Sequence, residues 1–132
     1  MKELFRPGDE KVHRKVIERS DTASFQGTQV HPVVSTFALA REIEWSTRLF
    51  VLEMKDEDEE GIGTMLSIHH TAPAFPGEEL EIRAKVKSIH KNELICSYRV
   101  CVGERLVAYG ETGQKIYSRE LIRIKFTPDD KG

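Results

Sequence analysis

Between positions 79 and 110 apolar and polar residues alternate with a period of two. Leu80, Ile82, Ala84 and Val86 are separated by Glu79, Glu81, Arg83, Lys85 and Lys87, the pattern of a half-buried antiparallel strand with a charged outer face. Lys91-Asn92 turns the chain. Leu94, Cys96, Tyr98, Val100 and Val102 then make a second inner row, and Gly103-Glu104 turns again into Leu106, Ala108 and Gly110. Residues 114–118 and 121–126 are expected to extend the last strand or strands.

The period upstream is different. After Pro32, Ser35 or Thr36 can cap a helix that runs to about Met54 and stops in the acidic turn 56–61. At about 100° per residue, Phe37, Leu39, Ala40, Ile43, Thr47, Phe50, Val51 and Met54 share one broad arc, with Glu44 on it. A second apolar strip holds Ala38, Trp45, Leu49 and Leu52, so the helix reads as wrapped by other structure. Before it, residues 9–19 read as a strand in which Val12 and Val16 face one way and Ile17 the other. Residues 20–28, small and polar with a glycine, read as a loop able to act as a lid.

The run 63–71 reads as a further strand. On strict alternation Ile62, Thr64, Leu66, Ile68 and His70 share the buried side. His70 is then either a satisfied core histidine or part of a site. One long helix followed by a strand meander, with a strand ahead of it, is an α+β layer arrangement in which a curled antiparallel sheet encloses the helix. This element order resembles the hotdog fold.

Length and charge narrow the possible functions. A chain of 132 residues is expected to form one domain, 1–132. Twenty Lys and Arg against 22 Asp and Glu give a net charge of −2, which offers no basic field for nucleic acid. No apolar run approaches the roughly 18 residues of a membrane span, and the start MKELFRPGDEK lacks a signal-peptide core, so a cytoplasmic protein without membrane contact is expected. Cys96 and Cys101, five apart in one strand, point to opposite faces and read as packing residues. High charge with a single asparagine leans towards a thermophilic composition. No pair of histidines has metal-ligand spacing, and no phosphate-binding glycine loop occurs, so neither metal nor cofactor is expected.

Two residues on the helix carry candidate chemistry. Glu44 borders the apolar arc, where a carboxylate is costly unless paired or used; Arg48 at i+4 and Arg41 at i−3 offer the pairing. Thr36, at the helix start, is either a cap or a functional hydroxyl.

Taken together, these residues resemble the hotdog thioesterases of the fluoroacetyl-CoA thioesterase type from Thr36 to about Tyr117. The resemblance rests on Thr36 eight residues before Glu44, the Glu44-Trp45 pair, Gly63-Thr64 opening a strand, His70-Thr71 ending it, and Pro76-Gly77 before the next. It implies a homodimer, or a dimer of dimers, with active sites at the subunit interface. It implies a catalytic set of Thr36, Glu44 and His70, with Gly63 presenting backbone near the substrate carbonyl. The implied reaction is hydrolysis of an acyl-CoA to free acid and thiol. Two departures stand out: Thr112 and Gln114 occupy positions where the family tends to carry histidine and arginine. The stretch before Thr36 also does not align, so preference for a fluorinated acyl group is not carried over, and a small acyl-CoA is expected.

Rival readings are a noncatalytic hotdog domain that binds a CoA-like or acyl ligand, with Glu44 held by Arg48 and His70 merely packed, and a hydratase. The Asp-x-x-x-x-His pattern expected of a hydratase is absent.

Overall fold

A computed structural model describes residues 1–25 and 28–128. The two alternating rows form the strands where the sequence places them. With β1 Glu10–Val16, β2 Thr22–Phe25, β3 Thr28–Val34, α1 Thr36–Met54, β4 Glu59–Leu66, β5 His69–His70, β6 Glu79–His90, β7 Glu93–Val102, β8 Arg105–Ser118 and α2 Arg119–Lys125, the element order is α+β. The main antiparallel sheet runs β1-β6-β7-β8-β4, with β5 also on β8, while β2 and β3 form a separate hairpin. α1 touches β1, β4, β6, β7 and β8, so the sheet curls around it.

The core lies between that helix and the inner rows. Leu39 and Ile43 pack with Leu80, Ile82, Tyr98 and Val100, and Phe50, Val51 and Met54 pack with Ala84, Val86, Leu94 and Cys96. All of these were legible as alternating or helical-period residues. α1 starts where Ser35 Oγ accepts from Ala38 N at 3.0 Å. It stops at Lys55, whose extended backbone ends the ladder.

Five finer expectations are corrected. First, β1 is shorter than the strand expected over 9–19: Val16 is 50% exposed and Ile17, on the opposite side as expected, joins the core, while the helix-facing positions of the strand are the polar Lys11, His13 and Lys15. These pair with carboxylates near the helix: Lys11 with Glu53, His13 with Glu42, Lys15 with Asp21. Second, the stretch read as a loop holds a short 3-10 turn at Arg19–Asp21 and the strand β2; Gln26 and Gly27 lie outside the described residues. Third, only Ala38 of the second helix strip is buried, while Trp45 and Leu52 are exposed and Leu49 is half-buried, so the wrapping covers one side. Fourth, residues 121–126 belong to α2 and its end, not to a strand; Ser118 Oγ caps it by accepting from Leu121 N at 3.1 Å.

The fifth correction concerns β4. Its register on β8 shifts between Gly63 and Met65, which breaks strict alternation. Gly61 and Gly63 face the helix: a Cβ on Gly61 would lie 2.5 Å from Val51 Cγ1, and one on Gly63 would lie 2.6 Å from Glu44 Oε1. Thr64, Leu66 and His70 are exposed. The inner row here is therefore made of glycines, which allow the helix to approach the strand.

Candidate active site

His70 owes its place to a break in the sheet edge. β4 and β5 both pair with β8, but Ser67 and Ile68 interrupt them. Ser67 is pinned at every polar atom. Its N–H donates to Glu111 O at 2.9 Å, its Oγ accepts from Glu111 N at 2.9 Å, and its carbonyl accepts from Tyr98 Oη at 2.7 Å. Gly110 makes room for this crossing, since a Cβ there would fall 2.0 Å from Ser67 O. Burial pushes the Tyr98 hydroxyl up to about 12, so it stays a proton donor. Beyond the crossing, His69 pairs with Tyr109 and His70 with the buried Ala108. Cross-strand partners share a face, so His70 lies on the helix side of the sheet.

There it meets the start of α1. Thr36 Oγ1 lies 3.2 Å from His70 Nδ1. Because Ser35 supplies the cap, the Thr36 hydroxyl is left for the imidazole. When the hydroxyl donates, Nδ1 is the acceptor and the ring proton sits on Nε2, which leaves an N–H facing solvent.

Two turns further along, about 12 Å by helix geometry, stands Glu44. It is exposed, and its Oε1 occupies the space beside Gly63 that a Cβ there would need. Neither arginine offered by helix spacing pairs with it. Arg41 donates to Asp21 at 2.9 Å and to Glu42 at 3.0 Å, and Arg48 reaches Gly61 O at 3.3 Å and Glu60 at 3.5 Å. Among the described residues Glu44 makes no ion pair, so the surface-pair reading has no partner for it. Its neighbours His13, Glu42, Trp45 and Arg48 line a cleft of about 530 Å³ with it. Burial opposes the charge on Glu42 in that cleft, but hydrogen bonds to His13 and Arg41 outweigh it and hold the carboxyl below its ordinary range.

The structure thus joins Thr36 to His70 and Glu44 to Gly63 as two contacts on one helix. Beneath them runs a polar chain. Gln114, 2% exposed and paired across the strands with Gly63, donates from Nε2 to Thr47 Oγ1 at 2.9 Å, and Thr47 donates to Glu44 O at 3.1 Å. Gln114 therefore ties the sheet to the helix turn that carries Glu44. Sequence reading missed the Ser67 crossing, although a glycine inside a strand run, here Gly110, is the usual sign of a close backbone approach. Among the described residues, no group of three or more His, Cys, Asp or Glu side chains is arranged to hold a metal ion. None of the described helices is long and apolar enough to cross a membrane.

Comparison with protein families decides the kinship: residues 17–120 match the fluoroacetyl-CoA-specific thioesterase family, FlK. The chain belongs to that family. All of Thr36, Glu44, Gly63 and His70 fall inside the matched span. A thioesterase-superfamily member from Thermus thermophilus is 26% identical, with a TM-score of 0.88 over 94% of this chain and 92% of its own. The fluoroacetyl-CoA thioesterase FlK itself is 20% identical, with a TM-score of 0.85 over 96% and 100% of the two chains. A hot-dog-like protein from Thermanaerovibrio acidaminovorans is 21% identical, with a TM-score of 0.85 over 96% and 97%. Comparison with curated proteins finds no match. As a member of the FlK family, the chain is a hotdog-fold thioesterase, a hydrolase acting on thioesters.

Proposed function

We propose that the chain hydrolyses a small acyl-CoA to the free acid and CoA, with Thr36, Glu44 and His70 as the catalytic set. The observation that carries this reading is the Thr36–His70 contact made possible by the Ser35 cap. Gly63 exposes backbone beside the Glu44 carboxylate, where the thioester carbonyl is held. Glu44 drives attack on the carbonyl carbon, either by taking a proton from water or by adding to the carbon itself. The C–S bond then breaks, and His70, oriented by Thr36, gives its Nε2 proton to the departing thiolate. Water supplies the hydroxyl of the acid and replaces the proton used. Trapping with hydroxylamine during turnover tells the two routes apart: an acyl–Glu44 anhydride is captured as a derivative at Glu44 if the carboxylate adds directly, and Glu44 stays unmodified if water attacks.

The unit of function is a homodimer, or a dimer of such dimers, with the site at the subunit interface. Supporting this, β4 ends the main sheet with its outer edge unpaired among the described residues, and Met65, Leu66 and Trp45 are exposed nearby in sequence or on the facing helix. Phe37, next to Thr36, is 81% exposed, which suits a residue covered by a second subunit. We place this single-domain enzyme in the cytoplasm, in keeping with its free cysteines. The deciding experiment assays a panel of acyl-CoA substrates for free thiol while light scattering records the mass. Turnover of short acyl groups by a species of twice 15.1 kDa or more is expected. Failure to turn over any acyl-CoA favours the binding-module reading, and a monomer removes the interface site.

A further inference from the structure

The outer face of the main sheet, away from α1, carries a groove of about 760 Å³ that the hydrolytic site does not use. One row of side chains crosses its floor. His69 pairs with Tyr109, Tyr109 with Arg99, and Arg99 with Arg83, so all four project from the same face of four adjacent strands. The His69 and Tyr109 rings stack, with centroids 4.9 Å apart and planes 15° from parallel. Most charges around them are already matched. Arg83 donates to Glu10 and to Glu81, each at 3.1 Å, and Lys87 pairs with Glu111. Arg99 is exposed and, among the described residues, has no ion-pair partner.

An aromatic pair beside an uncommitted guanidinium suits a nucleotide, with the base against a ring and a phosphate in the arginine fork. We propose that this groove holds the phosphorylated adenosine end of the CoA thioester. The proposal rests on the acyl-CoA reading above and extends it to a second face of the sheet. The route between the two faces is short. His69 and His70 are the consecutive members of the two-residue strand β5, which among the described residues pairs with β8 and with no strand on its other side. A thioester whose carbonyl is held on the His70 side sends its pantetheine arm round that edge to the His69 side.

The test uses one ligand, two substrates and three variants: Arg99→Gln, Arg99→Lys and Tyr109→Ala, all at exposed positions. Adenosine 3′,5′-bisphosphate is titrated calorimetrically into each protein, and KM and kcat are measured for one acyl group carried on CoA and on N-acetylcysteamine. Wild type binds the bisphosphate, more weakly as salt rises. Arg99→Gln weakens binding roughly tenfold or more, the size of a lost charge-assisted hydrogen bond, and Arg99→Lys recovers part of it. The KM for acyl-CoA rises in step while kcat holds, and the N-acetylcysteamine thioester is unaffected. Equal binding by wild type and Arg99→Gln, or an unmoved KM, overturns the proposal even if hydrolysis is intact. Arg99-dependent binding of the bisphosphate by a protein that cleaves no thioester upholds the groove and overturns the hydrolytic reading instead.

Discussion

Thr36 and His70 stand 34 residues apart in sequence and meet at 3.2 Å because the neighbouring Ser35 takes over the capping of α1. Adjacent hydroxyls at one helix start thus have separate jobs. Ser35→Ala removes the cap and should cost about 1 kcal/mol of stability, with a partial loss of turnover where the Thr36 hydroxyl turns to the freed helix N–H groups. Thr36→Ala should lower kcat further with little change in melting temperature, and Thr36→Ser should restore much of the rate. Melting curves and thiol-release rates on the same preparations check both.

His70 is exposed rather than packed, which separates catalysis from structure at that position. Replacing a core histidine by alanine would leave a cavity and lower the melting temperature. His70→Ala should instead leave the melting temperature within a few degrees and lower kcat, and a drop in stability with unchanged turnover would remove it from the catalytic set.

Glu44→Gln keeps the shape of the side chain and removes its basicity. With Arg41 and Arg48 committed to other partners, no ion pair is lost. We expect kcat to fall roughly 10²-fold or more and stability to stay level. A loss of stability with turnover intact would show that Glu44 is only structural.

The two helix-facing glycines of β4 should respond differently to alanine. A Cβ at Gly61 strikes Val51 in the core, so Gly61→Ala should destabilise by about 1–3 kcal/mol. At Gly63 the obstacle is the end of the Glu44 side chain, which can swing aside. Gly63→Ala should therefore fold well and lose activity. Denaturant unfolding paired with kinetics discriminates the two.

A pH effect follows from the loop after His70. Glu78 accepts from Arg105 at 2.8 and 2.7 Å, and Arg105 also donates to Pro73 O at 3.0 Å, clamping residues 73–78 to the start of β8. The Arg105 guanidinium, with the Phe75 N–H, holds the Glu78 carboxyl down at about 2. A depressed folded-state value means that the stabilisation is present above the unfolded carboxylate range, near 4.5, and disappears as pH falls through about 2. The stability difference between wild type and Glu78→Gln should thus be constant above pH 5 and vanish towards pH 2. Acid titration followed by circular dichroism measures it.

How far the sequence could be read depended on which side chains faced the helix. β6 and β7 bury plain aliphatics against it, so alternation exposed both strands and their inner rows. β1 offered no inner apolar row to read because Lys11, His13 and Lys15 occupy its helix side, held by carboxylates from other elements that no local pattern announces. β4 was misfaced because its inner positions are glycines and a bulge resets the count. In α2, Leu121, Ile122, Ile124 and Phe126 gave a strand-like run over too few residues for a helical period to appear. The proposed set of Thr36, Glu44 and His70 was read from resemblance and spacing, whereas the choice of Ser35 over Thr36 as the helix cap needed atoms.

The pinned crossing at Ser67 divides the sheet edge into two independently registered pieces. Gly63 and Glu44 are set before it, and His70 and Thr36 after it. Thr36 and Glu44 both stand on α1, so the helix and not the strand sets the spacing of acid and imidazole as long as both contacts hold. The strand only has to deliver Gly63 and His70 to two points already fixed on the helix, and the crossing at Ser67 is where any mismatch in chain length between those points is taken up.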